Sequence, residues 1–227
     1  MPLRPTSPAQ REMLEEAIVR YQSALLRDER ALAFLEKEKG VDWETALTVR
    51  FGVVDDPAPG HGPYRGWLSI PYLRHDGEPL QLRFRCLNPG CGVGVTEKEN
   101  HEGHGKYMSL EDEPVRIYGI QSIHEAGNEI HVTEGEFDRN TLRYKMDLPA
   151  VGLPGATQWQ TRHRKALAGF SRIWVWADPD DAGAKFARKV CASLRQAKVV
   201  PLKHGDVTKT YVDLGLAGLR KALEEVR

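Results

Sequence analysis

Two stretches decide the fold: Glu129-Ile-His-Val-Thr-Glu134-Gly135, and Arg172-Ile-Trp-Val-Trp-Ala-Asp178-Pro-Asp180-Asp-Ala-Gly183. Each is a short run of β-branched and bulky residues that ends in acid and glycine, as a strand does on entering a turn. Helical text follows both, at Phe137–Met146 and from Asp181 through Gln196. Between them LPAVGLPG reads as strand and turn, and TQWQTRHRKALAGF as a helix. Beyond them AKVVPL reads as a further strand, and Val212–Arg227 as a helix. Strands alternating with helices predict right-handed βαβ units and a parallel sheet, so this half is expected to be α/β. In such sheets ligands sit beyond the carboxyl ends of the strands.

Those ends carry the acids. Glu134 ends the first strand, Asp178 and Asp180 follow the third, and Asp206 follows the fourth in Lys203-His-Gly-Asp206; Asp138 lies one helical turn past Glu134. Crowded carboxylates repel and call for a cation. An all-oxygen set suits Mg²⁺ or Mn²⁺, held by one or two carboxylates together with substrate phosphate, which is the chemistry of phosphoryl transfer. Helix capping is the competing reading for any one of these residues, and Asp180 and Asp181 stand where a cap belongs.

The N-terminal half is mixed α+β. PAQREMLEEAIVRYQSALL places Met13, Ile18, Tyr21 and Leu25 at helical spacing, with Ser7 as cap and Pro8 in the first position. A second helix spans 28–39 and stops at Gly40, and a short third follows Asp42. FGVVDDPAPGHGPYRG, with three prolines and four glycines, reads as a loop. Trp67–Leu73 and Leu80–Leu87 read as a hairpin around the Asp-Gly of HDGE, and 88–105 as a Gly-rich insertion. A boundary at Glu125–Glu129 predicts two domains, 1–127 and 128–227.

The chain has 227 residues and no net charge, but 128–227 holds 17 Lys+Arg against 12 Asp+Glu (+5), leaving 15 against 20 (−5) for 1–127. A basic half suits phosphate, and so does an ordinary solvated surface. No apolar run reaches the roughly 18 residues of a membrane span. Three cysteines without a secretion signal imply a reducing cytoplasm. Cys86-x₄-Cys91 followed by His101-x₂-His104 admits two readings: a zinc site, or a hydrophobic cysteine beside loop histidines.

The acidic motifs resemble a known family. HVTEGEFD is similar to the Glu-Gly-x-x-Asp signature of Toprim domains, and WADPDDAG to their Asp-x-Asp-x-x-Gly signature. AVGLPGAT and GDVTK resemble the elements expected between and after them. ALAFLEKEKGVDWETALTVRFGVV, WLSIPYLRHDGEPLQLRFRCL, HGKYMSL and VRIYGI resemble, in order, segments of DnaG-type primases. The resemblance implies a DNA-dependent RNA polymerase that makes short primers on single-stranded DNA from ribonucleotide triphosphates. It implies Glu134, Asp178 and Asp180 as catalytic and metal-binding residues, with Asp138 and Asp206 near the metal, and Arg83, Arg85, Lys106 and Tyr107 as nucleotide or DNA contacts. A replicative helicase and a separate zinc-binding module are the implied partners, in a bacterial cell or phage-infected host. Pro179 departs from the usual glycine, and Val207-Thr208 from the usual second acid. A Toprim nuclease, or a non-catalytic DNA-binding module of replication or recombination, are the alternatives.

Overall fold

The computed structural model describes residues 6–88, 91, 101, 103–155 and 158–227. Most of the expected insertion at 88–105, and Ala156 and Thr157 of the AVGLPGAT segment, lie outside the described residues.

The chain divides into two compact units. The first runs to Pro114, apart from Lys39–Val41; the second takes in those three residues and Val115–Arg227. The expected boundary near 127 therefore moves toward the N-terminus. The reason is local: Tyr118 pairs with Gly152 through two backbone hydrogen bonds (2.9 and 3.0 Å). Arg139 also donates to Ser122 Oγ. Lys39–Val41 join this unit because Lys39 lies over the Phe137 ring and Gly40 lies against Tyr211.

In the first unit, helix α1 (Pro8–Leu25) starts at Ser7, whose hydroxyl accepts from Gln10 N–H while Gln10 Oε1 accepts from Ser7 N–H. This reciprocal capping box satisfies two otherwise orphaned donors. The buried stripe is Ala17, Ile18, Tyr21, Ala24 and Leu25; Met13, expected there, is 54% exposed. Helix α2 (Glu29–Ala33) is capped by Asp28 and runs into a π-helical turn, Phe34–Glu38. Asp42 caps α3 (Trp43–Thr48). Four antiparallel strands follow in spatial order: β1 (Gly52–Val53), β2 (Leu68–Leu73), β3 (Pro79–Arg85) and β4 (Tyr107–Ser109). β1 lies within the stretch read as loop, and β4 had no strand signal. A Cβ on Gly52 would stand 2.5 Å from the Tyr21 backbone, so only glycine lets β1 lie this close to α1. Tyr64 stacks on Phe84 at 4.1 Å in the core beneath α1.

The second unit confirms the βαβ reading. Its elements are α4 (Gln121–Glu125), β5 (Glu129–Thr133), α5 (Glu136–Lys145), β6 (Ala150–Gly152), α6 (Thr161–Leu167), β7 (Arg172–Ala177), α7 (Asp181–Ser193), β8 (Ala197–Pro201) and α8 (Val207–Glu224). The sheet is wholly parallel, in the order β6-β5-β7-β8. Alternation along β7 splits its side chains between two layers. Ile173 and Val175 join Ile130, Val132, Phe186 and Val190, whereas Trp174 and Trp176 join Leu142, Val207 and Leu219. Helices thus cover both faces, which a parallel sheet requires. On the tryptophan face lies a polar pair that the sequence hides. His131 is buried, and Trp176 Nε1–H donates to its Nδ1 at 2.8 Å. Burial lowers the His131 pKa to about 3, so the ring is a neutral acceptor. No helix among the described residues is long and apolar enough to cross a membrane.

Candidate active site and Cys/His cluster

The order β6-β5-β7-β8 places a switch point between β5 and β7. The chain leaves β5 for one side and returns to β7 on the other, so the crossovers part above these two strand ends. Glu134 stands at the end of β5 and Asp178 at the end of β7. The Asp178 N–H donates to Glu134 Oε1 at 3.1 Å, tying the two ends together. The α7 N-terminus closes over them at Gly183. A Cβ there would lie 2.2 Å from Asp178 O, 2.7 Å from Asp178 N and 2.8 Å from Glu134 Oε1. The glycine of the Asp-x-Asp-x-x-Gly stretch is therefore a packing requirement of the site.

The capping reading holds for two of the remaining acids. Asp180 caps α7 by accepting from Gly183 N–H at 2.7 Å, and Asp206 caps α8 by accepting from Lys209 N–H at 2.6 Å. Each cap uses Oδ1 and leaves Oδ2 for another ligand. Asp138 is buried, and its Oδ1 accepts from both the backbone N–H (2.9 Å) and the hydroxyl (2.7 Å) of Thr208. It thereby locks the start of α8 to α5. Thr208 occupies one of the positions where the resemblance led one to expect an acid, and here it supplies donors instead.

The acids form one electrostatic group. Burial raises Glu134 to about 7, with repulsion from Asp180, Asp138 and Asp206 adding to it and the Asp178 N–H opposing it. Burial, then repulsion from Glu134, Asp206 and Asp180, raises Asp178 to about 7. Burial and then repulsion from Asp206 and Asp178 push Asp138 up as well, against the pull of Thr208. Among the described residues no hydrogen bond reaches the Asp178 carboxylate. The donor set fits a hard divalent ion: all oxygen and mutually repelling. It is an open set. Among the described residues, the one group of three or more close-set metal-ligand atoms is that of Cys86, Cys91, His101 and His104, all within 4.8 Å of one another. An ion that keeps several waters and leans on substrate phosphate suits the acids best, which is the habit of Mg²⁺.

In the first unit the expected nucleotide contacts divide. Arg83 lies with its guanidinium 4.8 Å from the Tyr107 ring centre and is partly exposed, as are Lys106 and Tyr107. Arg85 has no exposed surface and packs between the Phe34 and Tyr107 rings, at 4.9 and 5.1 Å. Alternation alone could not show this, because both faces of β3 are covered at this end. Arg85 is thus a packing cation, not a surface contact.

One residue near the acids escaped the sequence reading. Arg139, buried beside Asp138, donates to Ala150 O (3.0 Å), Asn140 Oδ1 (3.1 Å) and Ser122 Oγ (3.1 Å). A Cβ on Gly119 would stand 2.1 Å from its Nε, so the Tyr-Gly of VRIYGI leaves room for it. An arginine following an acid in a polar helix carries no local mark of burial; only the glycine at 119 hinted at a close approach.

A carboxylate cluster at the switch point of a parallel sheet is the arrangement of α/β proteins that handle cations and phosphates. Among solved structures the fold is that of DnaG-type primase catalytic cores. The zinc-binding and RNA polymerase domains of Aquifex aeolicus primase match at TM-score 0.75 and 17% identity, over 99% of this chain and 63% of that one. The RNA polymerase domain of Mycobacterium tuberculosis DnaG in complex with double-stranded DNA matches at TM-score 0.73 and 18% identity, over 96% of this chain and 81% of that one. A DnaG primase catalytic domain bound to single-stranded DNA matches at TM-score 0.68 and 16% identity, over 95% and 79%. In sequence, the Gene 57 protein of Mycobacterium phage D29 is 29% identical over 153 residues, 66% of this chain and 91% of that protein. No family model matches the chain.

Proposed function

We propose that this chain is the catalytic core of a DNA primase, joining ribonucleotides on a single-stranded DNA template. The observation that carries the reading is the tie between Glu134 and Asp178 at the β5–β7 switch point, ringed by Asp180, Asp138 and Asp206. The DnaG-type fold, and the DNA held by two proteins that share it, support the same conclusion.

Asp178 and Asp180 would hold Mg²⁺ or Mn²⁺, with Glu134 beside them. When bound, the cation supplies positive charge to a nucleoside triphosphate and draws the acids toward ionisation. The chain's own residues do the rest. Glu134 keeps Oε1 on the Asp178 N–H, which leaves Oε2 for a proton from the attacking 3′-hydroxyl. The bound cation favours the ionised form of this carboxyl, which is the form that can take the proton. The 3′-oxygen forms a bond to the α-phosphorus, the bond to the β-phosphate oxygen breaks, and pyrophosphate leaves. Asp138 positions the α8 N-terminus, and with it Asp206, through Thr208. In the first unit, the partly exposed Arg83 and Lys106 would contact the DNA backbone.

The test is incubation with single-stranded templates, labelled ribonucleotides and Mg²⁺ or Mn²⁺, followed by sizing of the products. Template-dependent oligoribonucleotides are expected, and Asp178→Asn should reduce them by about 10²-fold or more, the loss of one preorganised charge-stabilising group. An Asp178→Asn protein that makes dinucleotides at the parent rate overturns the assignment. Cleavage of the template without nucleotides would mark a nuclease instead.

A further inference from the structure

We infer that the first unit holds a structural zinc ion, bound by Cys86, Cys91, His101 and His104. This site is separate from the acids of the second unit and independent of the polymerase reading.

The need for it shows in the chain. Residues 88–105, Asn-Pro-Gly-Cys-Gly-Val-Gly-Val-Thr-Glu-Lys-Glu-Asn-His-Glu-Gly-His-Gly, contain five glycines, and apart from Cys91 and Pro89 only Val93 and Val95 are apolar. So long a connection between two paired strands has too little apolar surface to bury for a core of its own. A chain too apolar-poor for a core of its own can be tied down by metal or disulfide cross-links. All three cysteines of the chain are free, which leaves metal.

The four ligands lie where this connection leaves and rejoins the sheet. Cys86 directly follows β3, and its N–H donates to Lys106 O at 3.0 Å, holding the two ends together. The four ligand atoms lie within 4.8 Å of one another. A tetrahedral zinc, with Zn–S of about 2.3 Å and Zn–N of about 2.05 Å, sets its ligand atoms about 3.3–3.8 Å apart. Cys91 Sγ and His104 Nε2 already stand at 3.4 Å. The outer contacts match as well. His104 Nδ1 meets Gly105 O at 3.0 Å, which as an N–H donor leaves Nε2 as the lone-pair nitrogen on the Cys91 side. This is how metal-bound imidazoles are usually oriented. Asn88 N–H points at Cys86 Sγ at 3.4 Å, where it would neutralise part of a thiolate's charge. Trp67 packs on the His104 ring at 4.8 Å, and Met108 and Leu110 line the same core. Water is kept from one side of the cluster. Two sulfurs and two imidazoles select zinc over magnesium or calcium. A set closed by four protein ligands leaves no open position for catalysis, so the role is structural.

The experiment is metal analysis of the purified full chain after zinc reconstitution and removal of loose metal on a weak chelator. About one zinc per chain is expected. Cys91→Ser and His101→Ala should lose it, whereas Cys191→Ser (in α7) and Asp178→Asn should keep it. A parent chain without zinc, or a Cys91→Ser chain that retains it in full, overturns the site; zinc lost only in Asp178→Asn would place the ion on the acids. If the ligand variants fail to fold, cobalt replacement in the unaltered chain decides. Intense visible bands of tetrahedral cobalt, with a near-ultraviolet thiolate band, are expected; a weak octahedral spectrum without the thiolate band overturns the site.

Discussion

Replacing Asp178 by Asn should make the metal-free protein more stable while removing its response to magnesium. The Asp178 carboxyl stands at about 7 against an ordinary 3.8, through burial and then the charges of Glu134, Asp206 and Asp180. At 1.36 kcal/mol per pH unit, the ceiling of that cost is about 4 kcal/mol. Glu134 and Asp178 push on each other, so part of the repulsion belongs to the pair and disappears with either member. The carboxyl is only partly buried, and solvent screening cuts that ceiling to about 1–2 kcal/mol for Asp178. The sign follows from linkage. A carboxyl whose folded pKa lies above its unfolded value costs stability in full above the folded value and nothing below the unfolded one. The penalty grows as pH rises from about 4 to about 7 and is complete at pH 8. Asn cannot ionise. In EDTA at pH 8, Asp178→Asn should therefore outlast the parent in urea by about 1–2 kcal/mol, and the advantage should vanish by about pH 4. Free Mg²⁺ at ten times its dissociation constant should stabilise the parent by about 1.4 kcal/mol and the variant far less. Trp174 and Trp176, on the strand that leads into Asp178, report the unfolding of this unit by fluorescence. A variant no more stable than the parent at pH 8, or one stabilised equally by Mg²⁺, refutes the reasoning.

Three further variants test the two units separately. Gly183→Ala should gain up to about 1 kcal/mol of helix propensity but lose about 1–3 kcal/mol by forcing a methyl against Asp178 backbone atoms that cannot yield. A lower melting temperature is expected by calorimetry, and an unchanged or higher one would show that the close approach is not real. Arg85→Ala should lower stability by roughly 2–4 kcal/mol, as a filled aromatic slot becomes a cavity. Lys106→Ala should leave stability within about 0.5 kcal/mol and weaken DNA binding mainly at low salt. Urea titrations and binding at two salt concentrations separate the pair, and a surface-like response at Arg85 would contradict its burial.

Several features could be read from short stretches because short-range physics makes them. Ser7, Asp28, Asp42, Asp180 and Asp206 precede helices whose orphaned N–H groups their side chains satisfy within three residues. The alternation of Ile173-Trp174-Val175-Trp176 marks a strand with two buried faces wherever that strand finds itself. The acids at the strand ends were visible for the same reason, and the βαβ order limited which rim they could share. What a local reading left open was adjacency. Glu134 and Asp178 meet because β7 pairs with β5 and β6 lies outside, a pairing across some forty residues that no window of sequence contains. The same limit hid the burial of Arg85 and Arg139, the exposure of Met13, and the strands β1 and β4, which have two and three residues and exist only through their partners. Hydrogen-bonded caps and side-chain periods depend on residues a few positions apart, so composition and order determine them. Strand order, burial and charge coupling depend on which distant segments exclude water together, and only the folded chain decides that.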